Sequence, residues 1–123
     1  MTPAARVQTS IELLDSIIEA ARSKGAPADR ILAEWFRNNR FAGSKDRRAI
    51  RELVFAAIRA CGPMPASGRS AMLRLGEVDE NIPALFDGSN YGPAVVRDGE
   101  SAAPGGVAPE WLEQRLAASH MAG

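Results

Sequence analysis

The sequence is nearly empty of the side chains from which metal centres and nucleophilic sites are made. Among 123 residues there is one cysteine, Cys61, and one histidine, His120. A single cysteine excludes an internal disulfide and suits a reducing compartment. A zinc site would need further ligands of another type, so no metal is expected. Cys61 falls on the apolar side of a helical pattern and reads as core packing rather than as a nucleophile. His120 lies in a terminal tail, a poor place to hold a general base. Long apolar runs are missing as well: none approaches the roughly 18 residues of a membrane span. The start, Met1-Thr2-Pro3-Ala4-Ala5-Arg6, lacks the basic-then-apolar order of a signal peptide. A cytoplasmic protein without a membrane partner is expected. No segment alternates as a strand, so no strand launches a glycine-rich phosphate loop. No catalytic residue and no cofactor is expected within this chain.

What is present is helical periodicity. A chain of this length fits one domain and buries roughly two-thirds of its unfolded surface. It therefore needs neither a disulfide nor a metal to fold. Thr2 followed by Pro3 predicts a helix start. Val7, Ile11, Leu14, Ile18 and Ala21 then recur at helical spacing, and Leu13 and Ile17 widen the stripe. This helix is expected near the middle of the core, with Gln8, Glu12, Asp15 and Glu19 opposite, and to end at Lys24-Gly25. Pro27 opens a second helix, to about Arg40, pairing Ile31 with Trp35 and Leu32 with Phe36. Phe41-Ala42-Gly43 is a short connector. Ser44 is the expected cap of a third helix carrying Ile50, Leu53, Val54, Ala57, Ile58 and Cys61 on one side. Cys61-Gly62-Pro63 should stop it, with glycine in the left-handed position. Trp35 and Ile58 are expected in the core. A fourth helix is predicted over about Gly68–Leu75 and a short piece over Ile82–Phe86. Residues 87–107, rich in Gly, Pro and Asp, read as an extended linker that the bundle does without. Pro109 restarts a helix with Trp111, Leu112 and Leu116 on its apolar side.

The charges are unevenly placed. Residues 1–60 hold eleven Lys/Arg and seven Asp/Glu, a net of +4; residues 61–123 hold four and eight, a net of −4. The densest basic stretch contains Arg37, Arg40, Lys45, Arg47, Arg48 and Arg51, with Asp46 the only acid between Arg37 and Arg51. Lys45, Arg47 and Arg48 crowd the first turn of the third helix, where the helix dipole is positive and cations are disfavoured. The same end offers free N–H groups, so cations and amides together suit a phosphate. The alternative is that the long side chains bend into water and Asp46 offsets part of the cost. Arg47 lies nearest the apolar stripe, and its stem is expected to pack there.

Gly43-Ser44-Lys45-Asp46-Arg47-Arg48-Ala49-Ile50-Arg51-Glu52-Leu53-Val54 resembles the Asp-Arg helix of the NusB-like RNA-binding domain. The resemblance is to that domain as found at the N-terminus of RsmB/Sun-type bacterial rRNA 5-methylcytosine methyltransferases. Arg6-Val7-Gln8 with Ile11, Leu13 and Leu14 is similar to the family's first helix. Phe86-Asp87-Gly88-Ser89-Asn90-Tyr91-Gly92-Pro93 is similar to its linker, and Pro109-Glu110-Trp111-Leu112 to its Pro-x-Trp-Leu motif. The resemblance implies an all-α, NusB-like helical bundle at 1–87, a linker at 88–107 and, at 108–123, a helix that would begin the next domain. It implies RNA, small-subunit rRNA above all, as partner, with Arg6, Lys45, Arg47 and Arg48 as the contacts. Arg37, Arg40 and Arg51 join them on the charge argument alone. Methyl transfer from S-adenosylmethionine would belong to a catalytic domain that this sequence lacks, so the chain is expected to be a truncated or N-terminal part and not an enzyme by itself. A protein-binding adaptor of the NusB antitermination type is the alternative.

Overall fold

The hydroxyl of Thr2 accepts a hydrogen bond from the Ala5 N–H at 3.0 Å, and Pro3 takes the first helical position. In the computed structural model, which describes residues 1–105, this starts helix α1 (Pro3–Ser23). Val7, Ile11, Leu14 and Ile18 are buried, and so are Leu13 and Ile17 from the widened stripe. That double row lets α1 pack against every other helical element, as expected of a central helix. Its left-handed terminal residue is Lys24, with φ 57°, rather than Gly25. The N–H groups of both residues reach the Ala20 carbonyl, that of Gly25 at 2.7 Å.

Helix α2 (Ala28–Asn38) buries Ala28, Leu32 and Phe36. It stops short of Arg40 because the Asn39 side-chain amide donates to the Trp35 carbonyl at 2.8 Å and closes the end. Trp35, expected in the core, is only partly buried and packs edge-on against Phe36. Helix α3 (Ser44–Ala60) buries Ile50, Val54, Ala57 and Ile58. Its capping residue is Gly43, not Ser44. The Asp46 carboxylate accepts the Gly43 N–H at 3.4 Å and supplies the cap from inside the first turn. At the other end Gly62 is not left-handed. Its N–H goes instead to the Pro104 carbonyl, 2.8 Å away and 42 positions along the chain.

Helix α4 (Gly68–Val78) begins with a reciprocal cap: Ser67 Oγ accepts the Ser70 N–H at 3.1 Å and Ser70 Oγ accepts the Ser67 N–H at 3.2 Å. It runs three residues past the expected Leu75. A 3-10 turn at Pro83–Leu85 follows, with Ile82 and Phe86 buried on either side. The described residues hold these four α-helices and this turn, and no strand. The fold class is all-α. No helix among the described residues is long and apolar enough to cross a membrane.

The segment read as a linker is extended and without helix, but it is tied to the bundle. Gly88, at φ 71°, donates to the Pro93 carbonyl at 2.9 Å and turns the chain; Pro93 and Ala103 are buried. The Ala103 N–H reaches the Ser70 carbonyl at 2.9 Å. Arg69 on α4 pairs with Glu100, donates to the Ala94 carbonyl at 3.0 Å and lies 5.0 Å over the Phe86 ring. Residues 87–105 therefore form a strap, and the packed unit extends past residue 87. The expected C-terminal helix with Trp111, Leu112 and Leu116 lies outside the described residues.

Candidate functional site

The basic stretch is arranged around one ring. Phe36 sits in the last turns of α2, and the connector brings the first turns of α3 back beside it. The guanidinium of Arg47 lies 5.9 Å from the Phe36 centroid and that of Arg51 lies 5.6 Å from it. Such cation–π contacts contribute roughly 0.5–1 kcal/mol each at exposed sites. Arg47 also donates to the Ala42 carbonyl at 3.0 Å, tying connector to helix. Arg47 and Arg51 thus help hold α2 against α3 while their residues remain exposed.

Arg6 has a different surrounding from the one expected. Its Nε donates to Asp46 Oδ1 at 2.8 Å, and the Met1 ammonium lies 3.5 Å from Oδ2. The Arg6 hydrogen bond, aided by the terminal ammonium and the Gly43 N–H, holds the Asp46 carboxyl below its usual range. Arg6 is half-buried and engaged in this pair, which reduces its freedom to meet a phosphate. Its effect there is indirect: it offsets the single acid inside the basic stretch.

Arg37, Arg40, Lys45 and Arg48 are exposed, and their side chains have no hydrogen bond or ion pair among the described residues. The first backbone bond of α3 runs from the Arg47 N–H to the Gly43 carbonyl at 2.9 Å. The N–H groups of Ser44, Lys45 and Asp46 precede it and have no acceptor among the described residues. Cations and free amides therefore occur together at the start of α3, with Asp46 between them.

Two aromatic residues, one in the α2–α3 connector and one in the strap, complete the surroundings. Phe41 and Tyr91 are 70 % and 77 % exposed. They border a groove of about 450 Å³ whose other walls come from the chain start and the first turns of α1. The only sequence signal was an aromatic residue between Arg40 and a glycine-containing turn. Tyr91 gave none, because its approach depends on how the strap docks.

Elsewhere little chemistry is assembled. Cys61 is buried, and burial pushes its thiol above the usual value. No three Cys, His, Asp or Glu side chains among the described residues are grouped to hold a metal ion. No protein-family model, curated protein or solved structure matches this chain.

Proposed function

We propose that this chain is a helical RNA-binding unit that contacts phosphates through the basic surface around the start of α3. The observation that carries the proposal is the group of exposed, unpaired cations Arg37, Arg40, Lys45 and Arg48 around one connector, with the neighbouring Asp46 already paired to Arg6. Contacts of this kind confer affinity and placement rather than choice of sequence. The likeness of the Asp-Arg helix to NusB-like domains supports a narrower reading. In it, the chain is the rRNA-engaging N-terminal part of a 5-methylcytosine methyltransferase of RsmB/Sun type, docking to a catalytic domain outside this sequence.

The test is RNA affinity against salt concentration. For about three to five phosphate contacts, log affinity should fall with log salt at a slope of roughly −2 to −4. Arg48→Glu should weaken binding to all RNAs alike and flatten that slope by about one contact or more. It should leave the fold intact, since the Arg48 side chain is exposed and makes no hydrogen bond or ion pair among the described residues. Unchanged affinity in the folded variant would remove the basic surface from the function. The adaptor reading would then lead, because exposed Phe41 and Tyr91 suit a protein partner too.

A further inference from the structure

We infer that the groove between Phe41 and Tyr91 takes one unstacked base of a single-stranded RNA, beside the cations that hold its phosphates. This rests on the RNA-binding reading above and names what that site binds.

The two rings come from separate segments, the α2–α3 connector and the strap, and open to solvent across one groove. Phe41 is held in place: its ring meets Trp35 edge-to-face at 6.1 Å, and Trp35 meets Phe36 in the same way at 5.6 Å. A ring that is exposed yet fixed is a ready surface for stacking. The groove, about 450 Å³, is in the size range of pockets for small flat ligands.

The lining of the groove is mostly apolar, which suits the face of a base, and Gln8 and Glu12 are its hydrogen-bonding pair. Gln8 donates to Glu12 at 3.1 Å, and this amide–carboxylate pair retains acceptors and a donor for the edge of a base. The groove adjoins the basic stretch in the chain, since Phe41 on its rim follows the exposed Arg40. Met1 lines it, and the Met1 ammonium lies 3.5 Å from Asp46, which stands between Lys45 and Arg47 on α3. A strand with a phosphate at Arg40 would bring an adjoining base to Phe41, the next residue in the chain.

The experiment titrates the full chain into a short unstructured oligoribonucleotide of mixed sequence, and into the same strand annealed to its complement. Wild type, Phe41→Ala, Phe41→Leu and Tyr91→Ala are compared, with thermal melts of each. Loss of either ring should weaken single-strand binding about tenfold, as loss of one base stack does. The salt slope should stay unchanged, because no phosphate contact is removed, and duplex binding should not move. Phe41→Leu keeps apolar bulk without the ring and should lose the same affinity even if Phe41→Ala melts early. Folded variants that bind the single strand like wild type would overturn the groove and leave the RNA reading standing. Absence of salt-dependent RNA binding by wild type would overturn both. A concentration-dependent dimer that Tyr91→Ala dissolves would assign the groove to a second copy of the chain and overturn the inference.

Discussion

Gly68 shows how one residue joins two helices. A Cβ there would come within 2.2 Å of the Ile11 carbonyl oxygen and 2.9 Å of the Leu14 Cβ, so the start of α4 lies directly on the backbone of α1. Asp15, on the outer side of α1, accepts the Gly68 N–H at 2.7 Å from 53 positions away. Gly68→Ala should therefore force α1 and α4 apart. Overpacking typically costs about 1–3 kcal/mol, and a clash with main chain belongs at the upper end or above. A urea or thermal melt like that of wild type would show that the helices yield easily. In the sequence Asp15 was one of several acids on a solvated face, and Gly68 was a helix start. Their partnership is not legible there, since spacing along one helix says nothing of a partner on another. The same limit hid the Arg6–Asp46 pair, which spans 40 positions. Local features were readable where both partners are near in sequence, as with Thr2, Pro3 and Ala5. The cap of α3 lies one residue before the expected Ser44, because Asp46 bonds back to the Gly43 N–H from inside the first turn.

At the scale of elements, four helices follow from apolar spacing, while the strap does not. Its Gly, Pro and Asp content correctly excludes regular structure but does not reveal where its backbone groups find partners. They find them on α4 and at the end of α3, so removal of the strap has consequences. Truncation after Ser89 should lower stability rather than leave the bundle unchanged. Losing the Ala103–Ser70 and Gly62–Pro104 backbone bonds alone costs about 2 kcal/mol. A truncated chain that melts with wild type would show that these contacts are idle. The strap should also respond to acid. The Arg69 hydrogen bonds, aided by the Arg97 N–H, hold the Glu100 carboxyl down from 4.5 to about 2. A carboxyl depressed in the folded state stabilises fully above its unfolded value and progressively less as pH falls through its folded one. Stability should thus decline between pH 4.5 and about 2. Glu100→Gln should remove part of that slope and leave the remainder to groups such as Asp46 and Asp87, which are lowered in the same direction. An identical acid profile in that variant would show that the pair does not couple to folding.

For the whole molecule, the all-α class and the central place of α1 were both legible in the apolar pattern, and so was the clustering of positive charge. The aromatic groove was not, because it needs the connector, the chain start and the strap in their final places. Purified chain supplied with S-adenosylmethionine should not methylate rRNA, given that the sequence offers neither a strand-launched glycine loop nor a cysteine pair. Label transfer to an rRNA fragment in proportion to protein would overturn that expectation. The central position of α1 also has a consequence during synthesis. Among the described helices, α1 is made before the others that cover it. Its double apolar row is not fully covered until α4 follows α2 and α3 and is complete at Val78, 55 residues after Ser23. At about 5–20 residues per second, this is a wait of roughly 3 to 11 seconds. Until that interval ends, part of the row that carries Ile11, Leu14, Ile17 and Ile18 stays uncovered, so the yield in the cell should depend on chaperones that shelter an emerging amphipathic helix.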